Sequence, residues 1–323
     1  MGLKEFLVEA KARLADLNSG VKKHVHIVIG NEACDLDSTV CATTYAYFLH
    51  QTKSSPGSHT LPVLCTRRSN FRIHLETVYF LGKHNIRADD LIFIDDLDLP
   101  ALSGSEVITL EVTLVDHHVL SEAEECLRKF VVEALDHRPV DGEIPKSWHA
   151  EIEPVGSCSS IVARKMLDAD PEDFSMDATV AELLLGAILT DTCNLSDKDK
   201  IATSADREMQ VRLKSFLPHI SATSIFEEIK QSKFDLSSLT ILEMLNKDLK
   251  ILKGTQITVA MSTVTMNLET ILTSPEFCHD ASEFCLSVPA DVVIIMALVM
   301  GDAGISDRWI AVFSPNPVFR DQF

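Results

Sequence analysis

The sequence predicts an α/β protein in which a parallel sheet with helices on both faces is followed by a smaller α/β domain. Apolar runs rich in β-branched residues alternate with stretches of helical period, as in strands joined by crossover helices. Three of the runs end directly in aspartate or in aspartate plus histidine, and ligand sites of parallel sheets lie at the carboxyl ends of their strands. The 323 residues suit two domains better than one.

The first strand is predicted over residues 25–29, where Val25, Ile27 and Ile29 alternate with other residues and Gly30 breaks the run. Ser38 is predicted to cap a buried helix that continues to Gln51. The remaining elements of the first domain are strands over 61–66, 91–94, 107–115 and 130–135, an extended piece over 148–155, and helices over 71–83, 157–167 and 179–189.

A boundary is predicted near Asp235, which gives domains of residues 1–235 and 236–323. The second domain is predicted to begin with a helix over 239–250. Its strand-like runs lie at 257–264, 292–300 and 309–313.

Composition limits the classes of partner. Hydrophobic residues make up 46% and charged residues 24%, which suits a packed core and disfavours disorder. The net charge of −19 disfavours duplex nucleic acid as a partner. No apolar run reaches the length of about 18 residues that a membrane span needs. The eight cysteines lack CxxC spacing and the charged N-terminal helix is not a signal peptide, so reduced thiols and a cytoplasmic location are expected.

Six side chains near strand or helix ends have the chemistry of metal ligands. Carboxylate and amide oxygens with one imidazole suit Mg²⁺ or Mn²⁺ better than Zn²⁺, and two such ions can share a carboxylate, activate water and bind a phosphate. Four of the six side chains also have a simpler explanation: a polar turn with a capping aspartate for Asp35 and Asp37, a helix-end aspartate for Asp191, and a core histidine for His137. The six residues are Asn31, Asp35, Asp37, Asp116, His137 and Asp191.

Four segments, in this order, resemble the motifs of the DHH phosphoesterase superfamily: GNEACDLDS, LVDHH, LDHRP and GAILTDT. The resemblance is closer to the prune proteins and related exopolyphosphatases, in the branch that includes the manganese-dependent family II pyrophosphatases. Asp136-His137-Arg138 occupies the position of the signature motif in the DHR form of prune-type proteins, whereas Asp116-His117-His118 occupies the second-motif position.

The resemblance implies a role for each ligand. Asp35 would bind one metal, Asp37 and Asp191 would bind the other together with His137, and Asp116 would bridge the two. Asn31 stands where the pyrophosphatases have a histidine. Because an amide oxygen is a weaker ligand than imidazole for Mn²⁺, the first site is expected to be looser and more tolerant of Mg²⁺.

Four further residues are candidates for contact with the substrate. His117 is a candidate proton donor to the leaving oxygen, the alternative being an exposed loop histidine. Arg138 replaces a family histidine and offers a guanidinium fork for phosphate, the alternative being a salt bridge to Asp136 or Asp141. Arg68 follows a strand and could meet distal phosphates, while Lys250 aligns with a substrate-binding lysine of the pyrophosphatases. For both, the alternative is a solvated side chain.

The resulting hypothesis is a hydrolase of phosphoanhydride bonds that uses two divalent cations, Mn²⁺ or Mg²⁺. The expected substrate is short-chain inorganic polyphosphate or, as the wider alternative, a phosphorylated small molecule. Two alternatives stay open: a cyclic-nucleotide phosphodiesterase, and a weakly active regulatory protein that binds protein partners. The tail has no equivalent of the Ser-Arg-Lys segment that closes over substrate in the pyrophosphatases, so the second domain is predicted to be shortened.

Overall fold

A computed structural model gives the fold of the chain. It forms two compact units, Met1–Phe71 with Glu76–Ser232 and Arg72–Leu75 with Lys233–Phe323. A parallel sheet with helices in the first unit and a second small sheet confirm the predicted fold class. The structure describes residues 1–17, 20–53, 55, 57–170, 172–301, 304–316 and 318.

The first unit is built on a six-stranded sheet in which every neighbouring pair is parallel. The strand order is β3-β2-β1-β4-β5-β6. From β1 the chain moves to β2, and from β4 it moves the other way to β5. The topological switch point therefore lies between β1 and β4. The strands are β1 Lys23–Ile29, β2 Ser58–Leu64, β3 Ile92–Phe93, β4 Ile108–Val115, β5 Val131–Asp136 and β6 His149–Ile152.

The helices of this unit are α1 Leu3–Ala12, α2 Leu36–Lys53, α3 Leu75–Lys83, α4 Leu99–Ser103, α5 Cys158–Leu167, α6 Ala178–Asp191, α7 Ser204–Lys214 and α8 Ala222–Phe234. The crossovers that contain α2 and α4 run in opposite directions along the sheet, so the right-handed rule places these helices on opposite faces. Helix α2 is buried almost throughout because it packs on the sheet and also contacts α5 and α6. No helix in the described ranges is long and apolar enough to cross a bilayer.

The turn from β1 into α2 differs from the prediction. The helix begins at Leu36, and Asp35 caps it: its Oδ1 accepts a hydrogen bond from the Ser38 amide at 3.0 Å. Ser38 Oγ accepts instead from the Asn31 amide at 2.7 Å. The prediction that Ser38 caps the helix is therefore wrong. A Cβ at Gly30 would lie 2.3 Å from Ser38 Oγ, so the approach requires glycine.

The second unit has a four-stranded mixed sheet of order β10-β9-β8-β7, in which only the central pair, β8 and β9, is parallel. The predicted helix over 239–250 is partly wrong. It ends at Lys247, and the next residues form a strand in which Lys250 pairs with Met261. Two helices, over Leu268–Leu272 and Phe277–Ser287, were not predicted. The elements are α9 Ile241–Lys247, β7 Leu249–Lys253, β8 Thr258–Val264, α10 Leu268–Leu272, α11 Phe277–Ser287, β9 Val292–Gly301 and β10 Gly304–Phe313.

Candidate metal centre

Asp37, Asp116 and His137 converge at the carboxyl ends of adjacent strands. One ligand atom from each lies within 4.8 Å of the others. Asp37 is in the first turn of α2, Asp116 follows β4 and His137 follows β5. His137 Nε2 is 3.2 Å from Asp116 Oδ1 and 4.0 Å from Asp37 Oδ2. The cluster therefore surrounds the switch point of the sheet.

Asp116 is held in a left-handed backbone conformation with φ of 61° and is buried. Asn31 Nδ2 donates to its Oδ2 at 2.6 Å and to its carbonyl oxygen at 3.1 Å. Its Oδ1 is buried and faces His137 without an aligned hydrogen bond. Burial and the charge of Asp37 raise the pKa of Asp116 to about 7. A cation would relieve both the burial and the repulsion.

His137 is oriented for coordination through Nε2. Its Nδ1 lies 3.2 Å from the carbonyl oxygen of Val155, so Nδ1 carries the proton and Nε2 is directed at the carboxylates. Burial alone would lower the pKa of this imidazole, but the carboxylates of Asp116 and Asp37 outweigh it and raise the pKa to about 9. Without a cation, the ring itself supplies positive charge to the cluster.

Asp37 is bound by the first turn of α5. Its Oδ2 accepts from the Cys158 amide at 2.8 Å, and its Oδ1 accepts from the Ser159 amide at 2.8 Å and from Ser159 Oγ at 2.6 Å. Helix N-termini stabilise anions in this way. A carboxylate oxygen has two lone pairs, so Oδ2, which accepts only one of these bonds, keeps acceptor capacity for a metal ion.

The last two predicted acids lie close enough to Asp37 to be affected by its charge. Burial and the Asp37 charge raise the pKa of Asp35. Asp191 is the last residue of α6, and its buried Oδ2 has no hydrogen-bond partner among the residues that the structure describes. Burial, followed by the charges of Asp37 and Asp35, raises the pKa of Asp191 well above its ordinary value. Such an oxygen is costly unless a cation approaches it.

Asn31 is placed beside the centre with its amide nitrogen, rather than its oxygen, toward Asp116. The oxygen Oδ1 accepts from the Cys34 amide at 3.1 Å. In this orientation Asn31 positions the carboxylate of Asp116. A direct role of Asn31 as a metal ligand stays a prediction.

His117 lies beside Asp116 and is buried, with 7% of its surface exposed, so the alternative of an exposed loop histidine is wrong. Its Nδ1 is 3.0 Å from the Val115 carbonyl oxygen and its Nε2 is 3.2 Å from Glu124 Oε1. Burial lowers the pKa of His117, but Glu124 outweighs burial and raises it. Sequence reasoning missed Glu124 because it stands in an acidic segment that looks solvated.

A cleft of about 350 Å³ adjoins the centre and is lined in part by Asn31, His117, Glu124 and Arg138. The Arg138 side chain is 44% exposed, with its Nη2 3.6 Å from Asp116 Oδ1, and its Nη1 donates to the Asp116 carbonyl oxygen. The ion pair of Arg138 is therefore with Asp116, whereas the alternative expected Asp136 or Asp141 as the partner. The exposed fraction leaves room for a phosphate oxygen at the guanidinium.

Arg68 and Lys250 are placed elsewhere. The Arg68 guanidinium donates to the carbonyl oxygens of Ala88 at 2.7 Å and Leu91 at 3.2 Å, and to Asp96 at 2.7 Å. These bonds stabilise the loop around β3 and contradict the solvated alternative. Lys250 is exposed on strand β7 of the second unit. Substrate binding by either residue stays a prediction.

The donor set fits divalent metal ions that prefer oxygen ligands. It combines carboxylates with one imidazole whose other nitrogen is bound to the main chain. The buried, unsatisfied oxygens of Asp116 and Asp191 are the atoms that a cation would satisfy. A second group, His279, Asp280 and Glu283, lies on α11 with His279 and Glu283 exposed, and nothing else points to a ligand there.

Comparisons with known proteins identify the family of this chain. The DHHA2 domain matches residues 227–320. Exopolyphosphatase PRUNE1 of Rattus norvegicus is 35% identical over 319 residues, which cover 98% of this chain and 68% of the relative. The chain belongs to the prune family of exopolyphosphatases. The predicted resemblance to the DHH superfamily is thereby confirmed, and the chain spans about two thirds of the length of this prune relative.

More distant relatives of the prune family extend the comparison. The probable manganese-dependent inorganic pyrophosphatase of Oceanobacillus iheyensis is 26% identical over 227 residues, covering 69% of this chain and 65% of that protein. A solved structure from Methanococcus jannaschii, assigned to the family II inorganic pyrophosphatases, has a TM-score of 0.57 at 20% identity and covers 92% of this chain and 90% of its own. This structural likeness shows a common fold.

Proposed function

We propose that this chain hydrolyses phosphoanhydride bonds in a metal-dependent reaction, with short inorganic polyphosphate as its substrate. Membership of the prune family supports a phosphohydrolase, since the relatives are named exopolyphosphatases. The observation that carries the proposal is the convergence of Asp37, Asp116 and His137 at the switch point, with the unsatisfied Asp116 oxygen among them.

Two divalent cations are proposed to bind here, with Asp116 between them. His137, Asp37 and Asp191 would hold one ion and Asp35 the other. Such ions supply a bound water of lowered pKa and neutralise charge on the phosphoryl group. The manganese dependence in the name of the Oceanobacillus iheyensis relative supports Mn²⁺ as one candidate, with Mg²⁺ the other.

The protein side chains contribute orientation and charge. The exposed part of Arg138 is proposed to bind a phosphate oxygen in the cleft, because its planar fork can make two parallel hydrogen bonds. His117 lines the same cleft, but both ring nitrogens face protein acceptors. Proton donation from His117 to a leaving group would therefore require Nε2 to turn from Glu124.

The test is phosphate release from tripolyphosphate, pyrophosphate and cyclic AMP, each with Mg²⁺ and with Mn²⁺. Asp116→Asn keeps the shape of the side chain and should lower release by at least about 100-fold. Asp98→Asn is a matched control, because Asp98 caps α4 by accepting from the Ala101 amide at 2.9 Å. It should retain the wild-type rate.

Each outcome decides between the hypotheses. Release from tripolyphosphate that Asp116→Asn abolishes and Asp98→Asn retains supports the proposal. Release from cyclic AMP alone would indicate a phosphodiesterase. If the protein binds Mn²⁺ but releases phosphate from none of the substrates, hydrolysis is overturned and the regulatory alternative is favoured. Binding of protein partners and a cytoplasmic location stay predictions.

A further inference from the structure

A buried carboxylate outside the predicted centre connects two helices. Asp206 lies in the first turn of α7 and is fully buried. Its Oδ2 accepts from the Gly156 amide at 2.9 Å, and from the amide and the hydroxyl of Thr203, both at 2.7 Å. Its Oδ1 accepts from Ser160 Oγ at 2.6 Å. Sequence reasoning did not single out this residue.

Helix capping explains only part of this arrangement. Thr203 and Asp206 form a capping box at the start of α7, and such boxes stabilise helices at exposed positions as well. The bonds from Gly156 and Ser160 come from a different segment, the turn that begins α5. Four donors on one buried carboxylate satisfy the charge that burial would otherwise penalise.

The segment held by Asp206 is the one that binds Asp37. Gly156 and Ser160 flank Cys158 and Ser159, whose amides donate to the Asp37 carboxylate. Asp206 thus holds the two ends of the segment 156–160, while the Asp37 carboxylate accepts the two amides in its middle.

The same turn lies close to the end of α6. A Cβ at Gly156 would be 2.5 Å from Thr192 Cγ2 and 2.9 Å from Asp206 Oδ2. Thr192 immediately follows Asp191, the proposed ligand on α6. The position of the turn therefore bears on two of the proposed metal ligands.

We propose that Asp206 is a positioning residue of the metal centre. By holding Gly156 and Ser160 it sets the two α5 amides that orient Asp37. This inference rests on the proposed metal-dependent function. Residues that orient ligands in other metal sites change metal affinity by about 10–100-fold when they are replaced.

The test separates the two sets of bonds that Asp206 accepts. Ser160→Ala removes the hydroxyl donor on α5 and leaves the α7 cap intact, whereas Thr203→Ala removes the cap hydroxyl and leaves the bonds to α5. Mn²⁺ affinity is measured by calorimetry, and amide hydrogen exchange at Cys158 and Ser159 is measured in metal-free protein. Thermal unfolding is followed for both variants.

Ser160→Ala and Asp206→Asn should weaken Mn²⁺ binding about tenfold or more and speed exchange at the two amides. Thr203→Ala should lower the thermal midpoint with less than about a twofold change in Mn²⁺ affinity. If Asp206→Asn does not fold, Ser160→Ala still carries the test.

Wild-type affinity and unchanged exchange in Ser160→Ala would overturn the inference while the metal centre stands. Equal weakening in Ser160→Ala and Thr203→Ala would also overturn it, because the effect would follow from lost stability alone. If the wild-type protein does not bind Mn²⁺, the proposed function and this inference are both overturned. Calorimetry on the wild type therefore distinguishes this outcome from a failure of the inference alone.

Discussion

Asp191→Asn is expected to change stability in opposite directions with and without metal. In metal-free protein the Asp191 carboxylate has a buried oxygen without a hydrogen-bond partner in the described part of the chain, and it experiences the charges of Asp37 and Asp35. The amide has nearly the same shape and no charge. The variant should therefore be more stable than the wild type in the presence of a chelator.

The size of the effect follows from the charge that asparagine removes, because the amide remains a buried polar group. Two unit charges about 5 Å apart repel by ~3 kcal/mol at an effective dielectric constant of about 20, which is an upper bound for one neighbour. We expect the variant to gain about 1–3 kcal/mol without metal. At a Mn²⁺ concentration about 100 times Kd, the wild type gains about 2.7 kcal/mol that a non-binding variant lacks.

Urea unfolding in chelator and in Mn²⁺ measures both quantities. Trp148 is buried in the first unit and reports on its unfolding by fluorescence, while the exposed Trp309 is replaced by phenylalanine in every protein compared. Asp177→Asn is the matched control, because Asp177 caps the opposite end of α6 by accepting from the Val180 amide at 2.9 Å. Asparagine caps nearly as well as aspartate, so both its stability and its response to Mn²⁺ should stay near wild type.

Two results would refute this reasoning. A loss of stability in chelator for Asp191→Asn would mean that the carboxylate makes a favourable interaction in the metal-free fold. An equal gain from Mn²⁺ in variant and wild type would mean that Asp191 is not a metal ligand.

Three other substitutions test separate parts of the first unit. Gly156→Ala should lower the free energy of unfolding in urea by about 1–3 kcal/mol, since its Cβ would lie 2.5 Å from Thr192 Cγ2. Wild-type stability of this variant would mean that the turn before α5 can shift freely. Arg138→Lys keeps the positive charge but loses the planar guanidinium, and it should raise KM for tripolyphosphate about tenfold. The Mn²⁺ affinity measured by calorimetry should be retained, and an unchanged KM would mean that the phosphate does not bind at Arg138. Tyr45→Phe removes a 2.9 Å hydrogen bond to the buried Glu133 and should lower the free energy of unfolding by about 1–3 kcal/mol. Mn²⁺ affinity should not change, and a changed affinity would mean that this hydrogen bond affects the metal centre.

The convergence of Asp116 and His137 could be predicted because both proposed ligands follow strands directly. Asp116 and His137 come immediately after β4 and β5, and parallel strands bring their carboxyl ends to one edge of the sheet. No knowledge of distant contacts is needed for that inference. Beyond that inference, the strand order of the structure shows that β1 and β4 are neighbours, and this places Asp37 beside Asp116.

Residues whose importance depends on a distant partner could not be predicted. Glu124 and Asp206 stand in segments rich in charged residues, where an acid is ordinarily solvated. Glu124 is instead paired with His117, and Asp206 accepts hydrogen bonds from Gly156 and Ser160. These partners are distant in sequence, and they allow both acids to be buried. The strand β7 was missed for a similar reason, because pairing with β8, rather than its own sequence period, decides its conformation.

The acids of the centre are not equally strained in the metal-free fold. Asp35 caps α2, and Asp37 accepts two amides and a hydroxyl from α5, so both make hydrogen bonds that folding itself requires. Asp116 and Asp191 each retain a buried oxygen without an aligned partner. Helix caps thus allow part of the acidic cluster to form before any cation binds. His137 Nε2 and Arg138 Nη2 lie 3.2 and 3.6 Å from Asp116 Oδ1 and offset part of its repulsion in the metal-free fold. The repulsion that a cation would relieve is therefore greatest at Asp191, where metal affinity and metal-free stability should oppose each other most strongly.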